Sequence, residues 1–106
     1  GATFEAVDLD GGPGGLLAAL RGADLAVHCA GPFPRRPACD VLEACLAAGV
    51  PYVDVCDDLA YARRAKGLAR KAADLGIPAV TGAGLHPGLS SVMARAMIEA
   101  VREGEG

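Results

Sequence analysis

The chain has no excess of positive charge. Its 106 residues carry 10 Lys and Arg against 13 Asp and Glu, a net charge of -3. A nucleic-acid binder needs a basic stripe to displace counterions from phosphates, and this balance supplies none. Aromatics make up only 4% of the chain and are not interleaved with basic residues, so there is no platform for stacking single strands. No apolar run approaches the ~20 residues of a membrane-spanning helix. No basic flank followed by an apolar core stands at the start, so no secretory signal is read there. The cysteines at 29, 39, 45 and 56 form no Cys-x-x-Cys pair, and no histidine lies at zinc-finger spacing, so no metal site is read. They are expected to be buried free thiols of a reducing compartment, which places the protein in the cytoplasm.

What is present is an alternation of strand and helix. Residues 3–7 read as a short alternating strand, followed by Asp8-Leu9-Asp10 and a glycine-rich turn. Pro13 suits the first position of a helix, expected over residues 13–20. Residues 24–29 are nearly all apolar, as in a parallel strand covered on both faces. A helix is expected over 37–48 with Gly49 as its left-handed exit, then a strand over 52–56. Asp57 is expected to cap the longest helix, reaching residue 75. Its basic residues Arg63, Arg64, Lys66, Arg70 and Lys71 read as a solvated face. A strand over 78–81, a glycine loop and a last helix from about Gly88 complete the chain; Met93 and Met97 read as core filler there. This is a small α/β domain of parallel βαβ units, with about four strands.

Several residues invite a chemical reading. Ala30-Gly31-Pro32-Phe33 directly follows the apolar strand, and ligands of open parallel sheets sit outside the carboxyl ends of the strands. Two glycine clusters imitate a dinucleotide fingerprint. One, at 12–17, places Leu17 where the third glycine belongs; the other, at 82–87, places Pro87 there. The second is read as a plain strand-to-helix turn ahead of a phosphate cradle. His28 reads as a core residue inside a strand. His86 stands better for acid–base work at the sheet edge but has no carboxylate partner in sequence. Ser90 and Ser91 read as first-turn residues of the last helix, and no catalytic residue is assigned.

Three passages together resemble one family. Residues 23–33, Ala-Asp-Leu-Ala-Val-His-Cys-Ala-Gly-Pro-Phe, are similar to the fourth strand and following loop of the saccharopine dehydrogenase-like NAD(P)-binding proteins. Cys45-Leu46-Ala47-Ala48-Gly49-Val50-Pro51-Tyr52-Val53-Asp54-Val55 and Gly84-Leu85-His86-Pro87-Gly88-Leu89-Ser90 resemble two further passages of that family in order. The resemblance implies a partial Rossmann fold: a single unit over 1–106, the back half of a dinucleotide-binding domain without its glycine-rich first βαβ unit. It implies NADP or NAD as cofactor, met by Asp8 and Leu9 on the adenine side and by Cys29, Ala30, Gly31, Pro32 and Phe33 beside the ribose and nicotinamide. Pro32 and Phe33 are expected to shape this loop rather than the core. The parent is then an NAD(P)-dependent oxidoreductase, acting on an amine/carbonyl or imine small-molecule substrate and forming a homo-oligomer, while the fragment alone is inactive. A non-catalytic α/β scaffold or interaction module is the alternative. In the family strand order two strands would separate residues 3–7 from 24–29; the isolated chain is expected to close that gap by pairing the two in parallel.

Overall fold

The structure is a computed structural model and describes residues 2–84 and 88–105. Its centre is a parallel three-stranded sheet, in the order β1 (Ala26–His28), β2 (Tyr52–Asp54) and β3 (Ala79–Val80). The register pairs Ala26 with Tyr52, His28 with Asp54, and Val53 with Val80. The fold is thus α/β and consistent with a partial Rossmann arrangement, with three strands in place of four among the described residues.

The missing strand is the first one expected. Among the described residues, 2–8 form no strand, and Phe4 is 94% exposed. A strand exists through its ladder and a buried face. The segment is tethered instead by a turn at Asp8, whose Oδ1 accepts from the Asp10 amide and whose carbonyl accepts from the Gly11 amide. The expected closure onto β1 therefore does not form.

Helix α1 (Pro13–Leu20) starts and stops where the sequence places it, with Gly12 before Pro13 at positive φ. Helix α2 (Asp40–Ala48) begins three residues later than expected and leaves through Gly49 in the left-handed region. Asp58, not Asp57, caps α3 (Leu59–Lys66); its Oδ2 accepts from the Tyr61 amide at 2.8 Å. The expected long helix breaks at Gly67, whose amide is shared between the Arg63 and Arg64 carbonyls, and resumes as α4 (Ala69–Leu75). The last helix, α5 (Leu89–Glu105), carries exposed Val92, Met93, Met97 and Val101, so its methionines are not core filler.

Both crossovers run in one direction across the sheet, and the core forms on one face. Leu16 and Leu20 of α1, Leu42, Cys45 and Leu46 of α2, Tyr61 and Ala65 of α3 and Ala72 of α4 are buried together with Tyr52 and Cys56. Side chains alternate along a strand. His28, Tyr52 and Asp54 point into this core, while Val27 on the opposite face is 61% exposed. The expectation of a sheet covered on both faces is therefore corrected: the described residues cover one.

Candidate functional site

The carboxyl ends of the three strands lead into loops that lie side by side. Cys29, Ala30, Gly31 and Pro32 follow β1 and are all exposed. The chain then dives inward. Phe33 opens a single 3-10 turn (Phe33–Arg35) and is 5% exposed. Its ring meets His28 edge-on at 4.9 Å between centroids and Tyr61 at 5.0 Å. Phe33 is a core residue, which corrects the expectation that it shapes the loop; a large apolar ring beside two buried aromatics gains more from packing than from exposure. Arg36 fastens the far end of the loop. Its carbonyl accepts from Arg64 Nη2 at 2.7 Å, and its guanidinium pairs with Asp10 at 2.9 Å. Arg64 also lies over the Tyr61 ring. One member of the expected solvated basic face is therefore a loop anchor. The result is a short exposed shelf, Cys29 to Pro32, held between β1 and a buried ring.

Asp8 and Leu9 stand elsewhere. Asp8 is exposed in its turn, and Leu9 is packed partly against the core. Leu9, Asp10 and Pro13 line one side of a groove of about 570 Å³; Arg35, Arg36 and Asp40 line the other. Cys56, Cys39 and Cys45 are buried, and Cys29 is exposed. The Cys56 thiol accepts from the Asp58 amide at 3.3 Å, and burial pushes all three buried thiols above their ordinary range.

Asp54 is the residue that reading the sequence for chemistry missed. It is fully buried at the end of β2, yet it is a carboxylate with a full set of partners. Tyr52 Oη donates to Oδ2 at 2.6 Å, Thr81 Oγ1 donates at 2.9 Å, and the amides of Cys56 and Gly82 donate to Oδ1 at 3.0 and 2.8 Å. Burial alone would raise its pKa; these bonds outweigh burial and hold it below the ordinary carboxylate value. Asp54 is therefore ionised and accepts only. The signal in the sequence was an acidic residue inside an apolar strand, which needs partners to be buried at all.

The same bonds fix the loop after β3. Gly82 takes a φ of 76°, which brings its amide to Asp54, and the Ala83 amide donates to the Asp54 carbonyl at 2.8 Å. Gly84 comes so close that an added Cβ would lie 3.2 Å from the Val55 carbonyl. The amides of Gly82 and Ala83 are thus spent within the protein, which favours the plain turn over a phosphate cradle. His86 lies outside the described residues. Among the described residues, no group of His, Cys, Asp and Glu is placed to hold a metal ion.

The shelf is exposed, contains a glycine, and lies at the edge of the sheet where ligands of open parallel sheets sit. No curated protein and no solved structure matches the chain. A family model does: the saccharopine dehydrogenase NADP binding domain, over residues 1–80. That match covers most of the 106 residues, including the shelf, all three strands, and Asp54 with Tyr52 and Cys56. The domain is a nucleotide-binding cofactor domain of a dehydrogenase, with NADP or NAD as the cofactor, and this chain belongs to the saccharopine dehydrogenase NADP-binding domain family.

Proposed function

We propose that the chain forms the nicotinamide-side portion of the cofactor domain of an NAD(P)-dependent oxidoreductase, with a Rossmann first βαβ unit completing it. In this reading Cys29, Ala30, Gly31 and Pro32 form the surface beside the cofactor ribose and nicotinamide, with Phe33 as their buried anchor. Asp8 and Leu9 stand on the adenine side, with Leu9 lining the groove between α1 and α2. The carrying observation is the shelf: four exposed residues at the carboxyl edge of a parallel sheet, clamped at one end by Phe33 and Arg36. The bound cofactor supplies hydride chemistry, and the chain supplies binding and orientation. The substrate is proposed to be a small amine/carbonyl or imine compound and the parent a cytoplasmic homo-oligomer.

The test is a fluorescence titration of NADPH and NADH against the complete gene product. A dissociation constant of about 1 μM, or about -8 kcal/mol, is expected for the preferred cofactor. The 106-residue chain alone should bind much more weakly, because the pyrophosphate rests on glycine-turn amides at a helix N-terminus. Failure of the complete protein to bind either cofactor would overturn the reading.

A further inference from the structure

The Asp54 cluster has a direction. Asp54 accepts every bond it makes, so the one hydroxyl proton of Tyr52 goes to Asp54 Oδ2. Tyr52 Oη also lies 3.0 Å from Nδ1 of His28, on the neighbouring strand. With its own proton committed, Tyr52 can only accept there. His28 must then carry its proton on Nδ1. Its Nε2 is left bare, and it is the buried side-chain polar atom among the described residues with no hydrogen-bond partner. His28 itself is 6% exposed. The imidazole lies edge-on against the Phe33 ring, with 4.9 Å between centroids.

The hydrogen bonds therefore link one edge loop to the other. From His28, which packs against Phe33, donation passes through Tyr52 to Asp54. Asp54 in turn holds Thr81 and Gly82, at the start of the loop after β3. We propose that Tyr52 is a positioning residue that couples the two sheet-edge loops, fixing His28 as the Nδ1–H tautomer so that the imidazole against Phe33, the shelf's anchor, is set by the same hydrogen bonds that set Gly82. The tie from His28 to Gly82 follows from the hydrogen bonds, and the shelf joins it through the Phe33 ring against His28. Its effect on the cofactor rests on the function proposed above.

A hydrophobic pair at positions 28 and 52 would fill the same space without an orphaned acceptor. A buried polar group left unpaired is costly, and such exceptions call for a reason. A rigid tie between the loops is one that a nonpolar contact does not provide, because a hydrogen bond fixes orientation as well as distance. The bare Nε2 also gives the imidazole a ready alternative. If the Tyr52 bond is lost, the proton can move to Nε2, which changes how the imidazole meets Phe33 and so the support of the shelf.

The experiment uses the complete gene product with 15N-labelled histidine, the His28 signals being assigned from His28→Asn. In the wild type, Nδ1 should give the protonated nitrogen signal and Nε2 the bare one at neutral pH. Tyr52→Phe, which removes a single oxygen, should convert His28 to the Nε2–H form. Thr81→Val, at a side chain that hydrogen-bonds Asp54 and neither His28 nor Tyr52, should shift the His28 signals through Asp54. NADPH affinity should fall about tenfold in Tyr52→Phe, the scale of one well-placed hydrogen bond. A wild-type Nε2–H tautomer, or His28 signals indifferent to Thr81→Val, overturns the coupling. Unchanged NADPH affinity alongside a changed tautomer overturns the positioning role. Absence of NADPH binding in the wild type overturns the proposed function instead, and the histidine signals still decide the coupling. Thr81→Val retains a readout should Tyr52→Phe fold poorly.

Discussion

The hydroxyl of Tyr52 stands 2.6 Å from Oδ2 of Asp54, two residues further along the same strand and on the same buried face. Each residue explains how the other is buried. The phenol is pushed far above its ordinary pKa by burial first and by the neighbouring carboxylate second, so it keeps its proton and donates it. The carboxylate is kept ionised by what it receives. Replacing Asp54 by Asn keeps the shape and loses this match, because an amide nitrogen would face donors on one side. The buried donors then share one neutral oxygen in place of a carboxylate, at about 1–3 kcal/mol. Asp54→Asn should lower the urea midpoint accordingly without changing the slope of the transition. An unchanged midpoint would mean that the carboxylate adds nothing to stability.

Phe33 was expected to serve the loop, and its burial reverses the expected phenotype. Phe33→Ala removes a ring that touches both His28 and Tyr61. Such truncations cost about 3–5 kcal/mol through lost transfer energy and the cavity left behind. Phe33→Leu should cost much less and leave cofactor affinity nearly unchanged. Thermal unfolding of the two variants checks this. A Phe33→Ala protein with wild-type melting and impaired NADPH binding would return the ring to the cofactor surface.

How much of this was legible beforehand varies with the kind of signal. Pro13 with Gly12, and Gly49 after an apolar stripe, marked helix ends through backbone chemistry that needs no neighbours, and α1 and the end of α2 fall where expected. The strand cores were legible from apolar runs, though each proved shorter than its run, since the ladder stops where the partner stops. Residues 3–7 failed because alternation says nothing about whether a partner strand is at hand. Asp54 and Phe33 failed for a related reason. A carboxylate in a strand and a Phe after Gly-Pro each have two readings, and only the residues across the fold select one.

Acid should weaken the fold in two windows. His28 is held below its ordinary value of 6.5, by burial first and against the pull of Asp54. Asp54 is held below its ordinary value of 3.8 by its hydrogen bonds. In both cases the unfolded chain takes up a proton at a higher pH than the folded one, so stability falls as pH falls. The His28 contribution is lost from 6.5 down to its lower folded value, and the Asp54 contribution from 3.8 down to its own. His28→Asn, whose amide can still donate toward Tyr52, should flatten the upper window and leave the lower one. Urea midpoints measured from neutral to acid pH provide the check. An upper window that survives His28→Asn would assign it to another group.

The two edge-loop glycines should separate structure from binding. An added Cβ at Gly84 would lie 3.2 Å from both the Cβ and the carbonyl oxygen of Val55, backbone-anchored atoms with little room to yield. Gly84→Ala should cost about 1–3 kcal/mol as overpacking. An added Cβ at Gly31 meets nothing nearer than the Phe33 amide at 3.9 Å, an ordinary contact. Gly31→Ala should therefore stay within about 0.5 kcal/mol of wild type. Gly31 nevertheless sits in the middle of the exposed shelf, where a methyl group would stand between the backbone and anything lying on it. In the complete gene product, Gly31→Ala should weaken NADPH binding about tenfold while the melting temperature holds. Equal affinity in that variant would remove the shelf from the cofactor site and leave the groove beside Leu9 as the place to look.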